Sequence, residues 1–349
     1  METNEKYAGV AEDPRAEEKK TLDWRHEELF AMGAYPWREK PQNEWKSYPI
    51  RNQDGSGMCG PFSTCKALGI NNKNETGEYV NLNTAYIYAR RGNKPGAGMW
   101  MQDMFEIART FGAPLDPALS SDGINDAQAD AIAFDASAHQ EALKYRGLNY
   151  AFADVNMDTI AGLVDQGFTP ILLLRCSFKE YTAEPIVIPT VTSADYDVNH
   201  YVPVVDATLY KGKKCLVIED SWGQQFGHQG RRIFSEDFVK ARVFNVGYII
   251  DRRNEQPSDV TPRYRFLKPL RFGMRNDKDV KALQDVLKAE GLFPNSVQST
   301  GNFLQVTLSA VKKLQAKYAA EILAPLGLTV PTGFVGSSTR AWLNKKYGA

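Results

Sequence analysis

The stretch RNQDGSGMCGPFSTC, residues 51–65, places a cysteine between a turn rich in glycine and serine and an apolar run. Cys59 can be read in two ways, as a packed thiol at the start of a buried helix or as the nucleophile of an enzyme. A thiol nucleophile needs a base, a group that orients the base, and donors for the oxyanion. Which interpretation holds therefore depends on what the rest of the chain supplies.

One histidine lies where a base for Cys59 would be expected. His200 stands in DVNHYVPVVDA, at the entrance to an apolar strand, and the next strand, KCLVIED, ends at Asp220. A carboxylate there can accept the second ring N–H of His200 and fix its tautomer, and Trp222 can shield that hydrogen bond from water. The remaining histidines lie in charged, polar or glycine-rich surroundings: His26, His139 and His228.

Three ordered blocks resemble the signature of papain-like cysteine peptidases: NQDGSGMCGPFS, NHYVPVV and EDSWGQQFGHQG. His200 and Asp220 follow Cys59 by 141 and 161 residues, and their order is that of the family. The resemblance covers residues 45–253. It implies an α+β fold of two lobes, one helical and one β-barrel-like, and an endopeptidase, a thiol-dependent hydrolase, that needs neither a cofactor nor a metal.

The resemblance also implies roles for single residues. It makes Cys59 the nucleophile, His200 its base and Asp220 the group that orients the base. It makes Gln53 an oxyanion donor, together with the backbone N–H of Cys59. The implied substrate-binding residues are Gly96, Gly98 and Trp222, and the remaining cysteines are expected to be structural: Cys65, Cys176 and Cys215.

The sequence departs from the family pattern at two positions. Gly60 stands where the family commonly has Trp, and we expect it to widen the cleft. Asp220 replaces the usual Asn, and its charge should favour the imidazolium of a Cys⁻/His⁺ pair. Because only about 50 residues precede Gln53, we do not expect control by a long inhibitory pro-segment.

The chain of 349 residues is long for one core, which predicts two domains. Residues 1–20 are polar and predict a disordered tail, followed by the peptidase domain at 21–253, a linker at 254–266 and a second domain at 267–349. Within the first domain, a helical part at 59–112 precedes a strand-rich part at 170–250. One helix, MQDMFEIARTFG, is predicted to bury one face: Met104, Phe105, Ile107, Ala108 and Phe111.

The second domain contains a short repeat, TGNFLQVTLSAV from Thr300 and TGFVGSSTRAWL from Thr332. The glycine of each repeat permits a tight turn, and Thr307 and Thr339 are placed near the start of an amphipathic helix. A third helix is predicted in DKDVKALQDVLKAEG with an inner stripe of apolar residues: Val280, Leu283, Val286 and Leu287. This small three-helix domain resembles the peptidoglycan-binding modules (PG_binding_1-like) of bacterial and phage wall hydrolases.

The distribution of charge along the sequence supports different functions for the two domains. Residues 263–349 hold 14 Lys and Arg against 5 Asp and Glu, although the whole chain has no net charge. The basic excess suits an anionic cell wall, whereas the aromatic–basic interleaving of nucleic-acid binders is absent from the sequence. No apolar window is long enough for a membrane span, and no CxxC spacing indicates zinc.

The sequence therefore favours a cysteine peptidase that cleaves protein or peptide and is held at bacterial peptidoglycan by its C-terminal domain. Because no secretory signal precedes the domain, we expect a protein made in the cytoplasm and carried by a phage virion or released to the wall. The alternative is a catalytically inert papain-like protein with a structural or adhesive role at the wall, such as a virion component.

Overall fold

The computed structural model describes residues 9–15, 25, 34–147, 149–183, 186–189, 196–249, 262–293 and 299–348. Its contacts divide the chain into two compact units, and residues 9–15 belong to the first unit with residues 34–249. The predicted tail lies outside the described residues at 1–8 and 16–20, and the predicted linker at 254–261 does so as well. Within the described residues no helix has the length and apolar character needed to cross a membrane.

The first unit begins with helices and continues into a sheet. Its helices are α1 (Cys59–Thr76), α2 (Thr84–Tyr88), α3 (Met101–Thr110), α4 (Asp126–Ala131), α5 (Ala136–Ala142), α6 (Met157–Asp165), α7 (Phe178–Tyr181) and α8 (Glu236–Arg242). Its strands are β1 (Tyr150–Ala153), β2 (Ile171–Cys176), β3 (Ile186–Val187), β4 (Val198–Tyr210), β5 (Lys213–Glu219), β6 (Arg231–Ser235) and β7 (Val243–Ile249).

The seven strands form one sheet in the order β1-β7-β2-β4-β5-β6-β3. Neighbouring strands are antiparallel except β3 and β6, which run parallel. The long central strand β4 carries His200, which lies opposite Leu174 of β2. A helical part followed by a strand-rich part confirms the predicted α+β arrangement.

Helix α1 is buried along its first fourteen residues and lies between two apolar cores. Phe62 and Cys65 pack into a core with the other helices, and Ile70 packs into a core with residues of β4, β5 and β6. A helix that is buried on all sides does not need an amphipathic stripe. This burial fixes the position of its first residue, Cys59.

Helix α3 confirms most of its predicted inner face. Four of the five residues are buried, whereas Phe111 is 43% exposed, so that part of the prediction was wrong. The helix ends at Thr110, and Phe111 is its C-cap residue, where the chain turns away from the helical repeat. The guanidinium of Arg90 lies over the exposed ring, 5.4 Å from its centroid.

The second unit contains α9 (Lys278–Ala289), α10 (Gln305–Lys317), the one-turn helix α11 (Ala319–Ile322) and α12 (Ser337–Tyr347). The predicted inner stripe of α9 is fully buried: Val280, Leu283, Val286 and Leu287. The described part of this unit thus holds three longer α-helices and one short α-helix.

The sequence repeat of the second unit is also a structural repeat. In its first copy Gln284 Nε2 donates to Thr307 Oγ1 at 3.0 Å, and Gln284 Oε1 accepts from Gly301 N at 2.9 Å. In its second copy Gln315 makes the same pair of bonds to Thr339 and Gly333, at 3.1 and 2.8 Å.

Each repeat threonine thus anchors a buried glutamine from the preceding helix instead of capping its own helix. Both glycines have a positive φ, 75° for Gly301 and 74° for Gly333. Side chains are strained in that conformation, so the two glycines act as turn formers.

Candidate active site

Cys59 is the first residue of α1, and its side chain is fully buried. Met58, the N-cap residue, makes no side-chain capping bond. The N-terminal end of a helix favours negative charge because its N–H groups have no partner within the helix. The nucleophile predicted from the sequence therefore lies at the electropositive end of a long, fixed helix.

His200 connects the nucleophile to the predicted carboxylate. Its Nε2 donates to Asp220 Oδ1 at 3.0 Å, and both side chains are fully buried. Its Nδ1 is buried and has no hydrogen-bond partner among the described residues. Burial alone lowers the pKa of His200, but the Asp220 carboxylate and the adjacent Cys59 outweigh it and raise the pKa to about 9.

The other histidines do not join this group. His139 Nδ1 lies 2.8 Å from the Tyr86 hydroxyl, His228 packs edge-on against Trp45, and His26 is outside the described residues. Among the described histidines, His200 alone lies beside Cys59 and Asp220.

Asp220 is held by groups that the sequence did not reveal. Tyr181 donates its hydroxyl to Oδ2 at 2.6 Å, and Arg232 Nε lies 3.4 Å from the same oxygen. Burial raises the pKa of Asp220, but His200, Arg232 and Tyr181 outweigh burial and lower it. Tyr181 and Arg232 come from α7 and β6, outside the signature blocks, so motif spacing did not indicate their role.

Trp222 covers this hydrogen-bonded group. Its ring centroid lies 4.9 Å from that of His200 and 4.8 Å from that of Tyr181. The indole therefore shields the bond between His200 and Asp220 from solvent, as the sequence predicted, and the contacts place it against the histidine.

Gln53 is fixed by hydrogen bonds to Ser221 and Ser56. Its backbone N donates to Ser221 O at 2.7 Å, and its Oε1 accepts from Ser221 Oγ at 2.5 Å. Its Nε2 donates one hydrogen to Ser56 O at 3.0 Å. A primary amide has two such hydrogens, so one more can serve a ligand. Ser221, next to Asp220, thus couples the predicted oxyanion donor to the predicted orienting residue.

A buried arginine anchors the loop before Cys59. Arg51 bonds to Asp122 Oδ1 at 2.6 Å and to Asp116 Oδ2 at 3.0 Å, and the Asn52 amide bonds to Asp122 as well. Charge-assisted bonds of this kind have defined geometry. They hold residues 52–58 in place, a role that the spacing of motifs does not disclose.

Gly60 does not widen the cleft. A methyl group at this position would lie 2.9 Å from Met104 Sδ and 3.3 Å from Tyr201 Cδ2. Both side chains are buried, so they occupy the space that the family's Trp would need. The expectation of a wider cleft was wrong because Met104 and Tyr201 fill that space.

Residues 9–15, which we call the N-terminal strap, lie against the nucleophile. Met99 N donates to Gly9 O at 3.2 Å, and Ala11 N donates to Met99 O at 2.9 Å. A methyl group on Gly9 would overlap Sγ of Cys59. The chain therefore covers its own candidate nucleophile with backbone, although we did not expect control by a long inhibitory pro-segment.

The two predicted substrate-binding glycines differ. Gly98 has φ of 74°, and a methyl group on it would lie 2.9 to 3.0 Å from backbone atoms of the strap. Gly96 is exposed and closes a turn through its bond to Asn93 O. Close approach of a second backbone therefore requires glycine at position 98, whereas Gly96 shapes the loop.

The remaining thiols are buried and free of disulfides. Burial raises the pKa of Cys65 and of Cys215 to about 12, and burial also raises the pKa of Cys176. A high pKa keeps a thiol protonated and unreactive. No group of side chains among the described residues could hold a metal ion.

A comparison with known proteins found a relative that matches over a moderate length at low identity. Zingipain-2 of Zingiber officinale is 22% identical over 187 residues, which are 52% of this chain and 79% of the relative. No family model matches the chain.

Two solved structures are similar to about seven tenths of this chain. Xylellain, a cysteine protease from Xylella fastidiosa, is 14% identical and matches 71% of this chain and 98% of its own, with a TM-score of 0.55. The digestive procathepsin L2 proteinase of Tenebrio molitor larval midgut is 16% identical and matches 70% and 78%, with a TM-score of 0.54. The chain therefore has the fold of the papain-like cysteine proteases.

Proposed function

We propose that the chain is a cysteine endopeptidase whose nucleophile is Cys59. The observation that carries this proposal is the placement of His200. Its Nε2 is bound to Asp220, and its Nδ1 is left without a partner among the described residues, beside the thiol at the start of α1. This is the arrangement that nucleophilic catalysis by a thiol requires.

The acylation step follows from these positions. His200 Nδ1 takes the thiol proton, and the sulfur of Cys59 attacks the carbonyl carbon of the peptide bond. The electron pair of the carbonyl moves to oxygen, where Gln53 Nε2 and the Cys59 backbone N–H stabilise it. The C–N bond then breaks, the leaving amine takes the proton from His200, and a thioester remains on Cys59.

Deacylation uses the same residues in reverse. His200 Nδ1 takes a proton from water, and the hydroxide formed attacks the thioester carbon. The C–S bond breaks, the carboxylic acid leaves, and the sulfur regains a proton from His200. Asp220 keeps hydrogen on Nε2 throughout and stabilises the imidazolium, and Trp222 excludes water from that bond.

Cleavage profiling tests this proposal. Wild type and Cys59→Ala are compared on a peptide library, with Cys65→Ala as the matched control for loss of a buried thiol. We expect cleavage by wild type and by Cys65→Ala and none by Cys59→Ala. Equal cleavage by the Cys59→Ala variant contradicts the mechanism, and intact folding without any cleavage supports the inert alternative.

We propose further that the second unit binds bacterial peptidoglycan. Its support is the twofold glutamine–glycine–threonine repeat and the basic excess of residues 263–349. A cavity of about 760 Å³ in this unit adds a place for a ligand. It is lined by an aromatic ring and lysines, among others: Ser338, Trp342, Lys345 and Lys346. Aromatic faces and cations suit sugar rings and stem-peptide carboxylates.

Sedimentation with purified sacculi tests the wall-binding proposal on the full chain. We expect retention that falls with Lys345→Ala, an exposed residue of the cavity, and not with Lys281→Ala, an exposed lysine of α9 outside it. Failure of the wild-type chain to sediment removes the proposal. A location at the wall, reached with phage particles or after lysis, is part of this proposal and depends on the same experiment.

A further inference from the structure

Arg175 lies close to the reacting residues without taking part in the chemistry described above. It is the fifth residue of β2, and it lies directly opposite Asn199, which precedes His200 on β4. Cross-strand partners project from the same face of a sheet and contact each other. The Arg175 side chain is 41% exposed, and its guanidinium carbon lies 5.6 Å from the centre of the Phe244 ring.

A donor and an acceptor at this place are unpaired. Arg175 Nε and Asn199 Oδ1 are both buried, and neither has a hydrogen-bond partner within the described part of the chain. Leaving a buried polar atom unpaired is unfavourable, so two such atoms side by side indicate a place where a polar group of a ligand can bind. Beside an active cleft, a substrate group is the obvious candidate.

The N-terminal strap indicates what kind of group that is. Its Gly9 lies against Cys59, and three residues later Glu12 Oε1 reaches within 3.9 Å of Arg175 Nη2. The Glu12 side chain is 91% exposed, so this ion pair contributes little on its own. The strap thus places a carboxylate near Arg175, at a distance too long for a hydrogen bond.

We propose that Arg175 forms a subsite of the cleft that selects an acidic substrate side chain. The proposal rests on the peptidase function proposed above and names a feature of its substrates. A guanidinium pairs with a carboxylate through two parallel hydrogen bonds, and the Nε–H of Arg175 is one donor available for this. The Phe244 ring lies beside the guanidinium and helps to fix its orientation.

Substrate profiling on the full chain tests the subsite. Matched peptides carry Glu or Gln at each of the three positions on either side of the scissile bond. We expect wild type to favour Glu at one position by about tenfold or more, the ratio that one charge-assisted bond provides. Arg175→Gln should lose this preference yet still cleave the Gln peptide, and Arg175→Glu should prefer Lys there. Lys179→Gln, an exposed neighbour on α7, should keep the wild-type preference.

A binding experiment separates this inference from the peptidase proposal. The full chain with Cys59→Ala is titrated by calorimetry with the peptide GVAEDPR, the sequence of residues 9–15, and with its Glu-to-Gln counterpart. We expect the Glu peptide to bind about tenfold more tightly, and we expect Arg175→Gln to abolish the difference.

If the Glu peptide binds more tightly than the Gln peptide but wild type cleaves no peptide, the subsite is supported and the peptidase function is contradicted. Equal affinities, no binding of either peptide, or an acidic preference that survives Arg175→Gln overturns the subsite.

Discussion

Tyr181 and His200 hold opposite oxygens of one carboxylate: the tyrosine hydroxyl donates to Oδ2 of Asp220 at 2.6 Å, and His200 Nε2 donates to Oδ1 at 3.0 Å. The anionic Asp220, in place of a neutral Asn, therefore has a donor on each oxygen. Arg232 adds a positive charge near Oδ2. A buried carboxylate needs such partners, because an unpaired charge in the interior is very unfavourable.

Replacing Asp220 by Asn should change the pH dependence of peptide cleavage through His200. Asp220 is the main group that raises the pKa of His200 to about 9, and burial acts in the opposite direction. Without the carboxylate the histidine should lose its proton at a lower pH, and the imidazolium that protonates the leaving amine should be lost with it. We expect the alkaline limb of the peptide-cleavage rate to move down by about one pH unit or more.

The measurement is the rate of peptide cleavage from about pH 5 to about pH 10. Asp54→Asn, an exposed carboxylate of the loop before Cys59, is the control and should leave the limb in place. An unchanged alkaline limb in Asp220→Asn would mean that Asp220 does not set the charge of His200.

Tyr181→Phe should destabilise the protein and disturb Asp220 without removing a catalytic group. The change deletes the donor to Oδ2 and leaves Arg232 as its remaining described neighbour. Loss of a hydrogen bond to a charged group costs about 1.5–3 kcal/mol of the free energy of unfolding. Denaturation in urea measures this loss, and Phe178→Leu, which keeps Asp220 untouched, controls for repacking near Trp222. A stability equal to wild type would show that the hydroxyl is not needed.

The sequence predicted the residues that meet at the candidate site but not those that hold them. Cys59, His200 and Asp220 belong to ordered blocks, so their types and spacing carry the signal. Tyr181, Arg232 and Arg51 act through tertiary contacts between distant elements. Their residue types are common, and no local pattern marks them.

The errors also have a physical cause in tertiary packing. The consequence of Gly60 depended on Met104 and Tyr201, which come from other elements and fill the space next to it. Phe111 fits the helical period of α3, and periodicity alone therefore predicted it on the buried face of the helix. It follows the last residue of the helix, however, and is exposed. Periodicity and motif spacing are local properties, whereas these outcomes depend on which elements meet.

Gly9→Ala should expose the nucleophile. A methyl group on Gly9 would overlap Sγ of Cys59 and lie 3.2 Å from Gly57 O, so the N-terminal strap has to move away. We expect Cys59 to be alkylated about tenfold faster than in wild type, which corresponds to about 1.4 kcal/mol of lost strap binding. The rate is measured at neutral pH with a small alkylating reagent.

Ala11→Gly is the control for this change, because it keeps the backbone bond of residue 11 to Met99 and adds no bulk. It should leave the alkylation rate close to that of wild type. If Gly9→Ala and wild type react equally fast, the strap does not limit access to Cys59.

Gly60→Ala should be destabilising through overpacking. The added methyl group would lie 2.9 Å from Met104 Sδ and 3.3 Å from the Tyr201 ring, and overpacking in a core costs about 1–3 kcal/mol. A second change, Met104→Ala, should recover part of this loss in the double variant, because it removes the nearest atom. Urea denaturation of the four proteins in this cycle gives the coupling energy. Additive effects would show that Met104 does not limit position 60.

Glu290 should make the second unit sensitive to acid. Its side chain is 3% exposed and forms ion pairs with Lys317 and Lys346. It also accepts hydrogen bonds from the hydroxyls of Tyr318 and Tyr347. Burial raises the pKa of Glu290, but these four donors outweigh burial and lower the pKa from 4.5 to about 2. A carboxyl whose pKa is lowered by folding stabilises the folded state above its unfolded pKa and loses that contribution as the pH falls.

The expected window for this loss runs from pH 4.5 down to about 2. Hydrogen-exchange protection factors of α10 and α12 in the full chain, corrected for intrinsic rates, should fall across it. Glu290→Gln should lower protection near neutral pH and flatten the acid dependence, since it removes the charge that both lysines bind. Glu321→Gln, an exposed carboxylate of α11, should behave like wild type. Protection that falls equally steeply in Glu290→Gln and wild type would assign the acid sensitivity to another group.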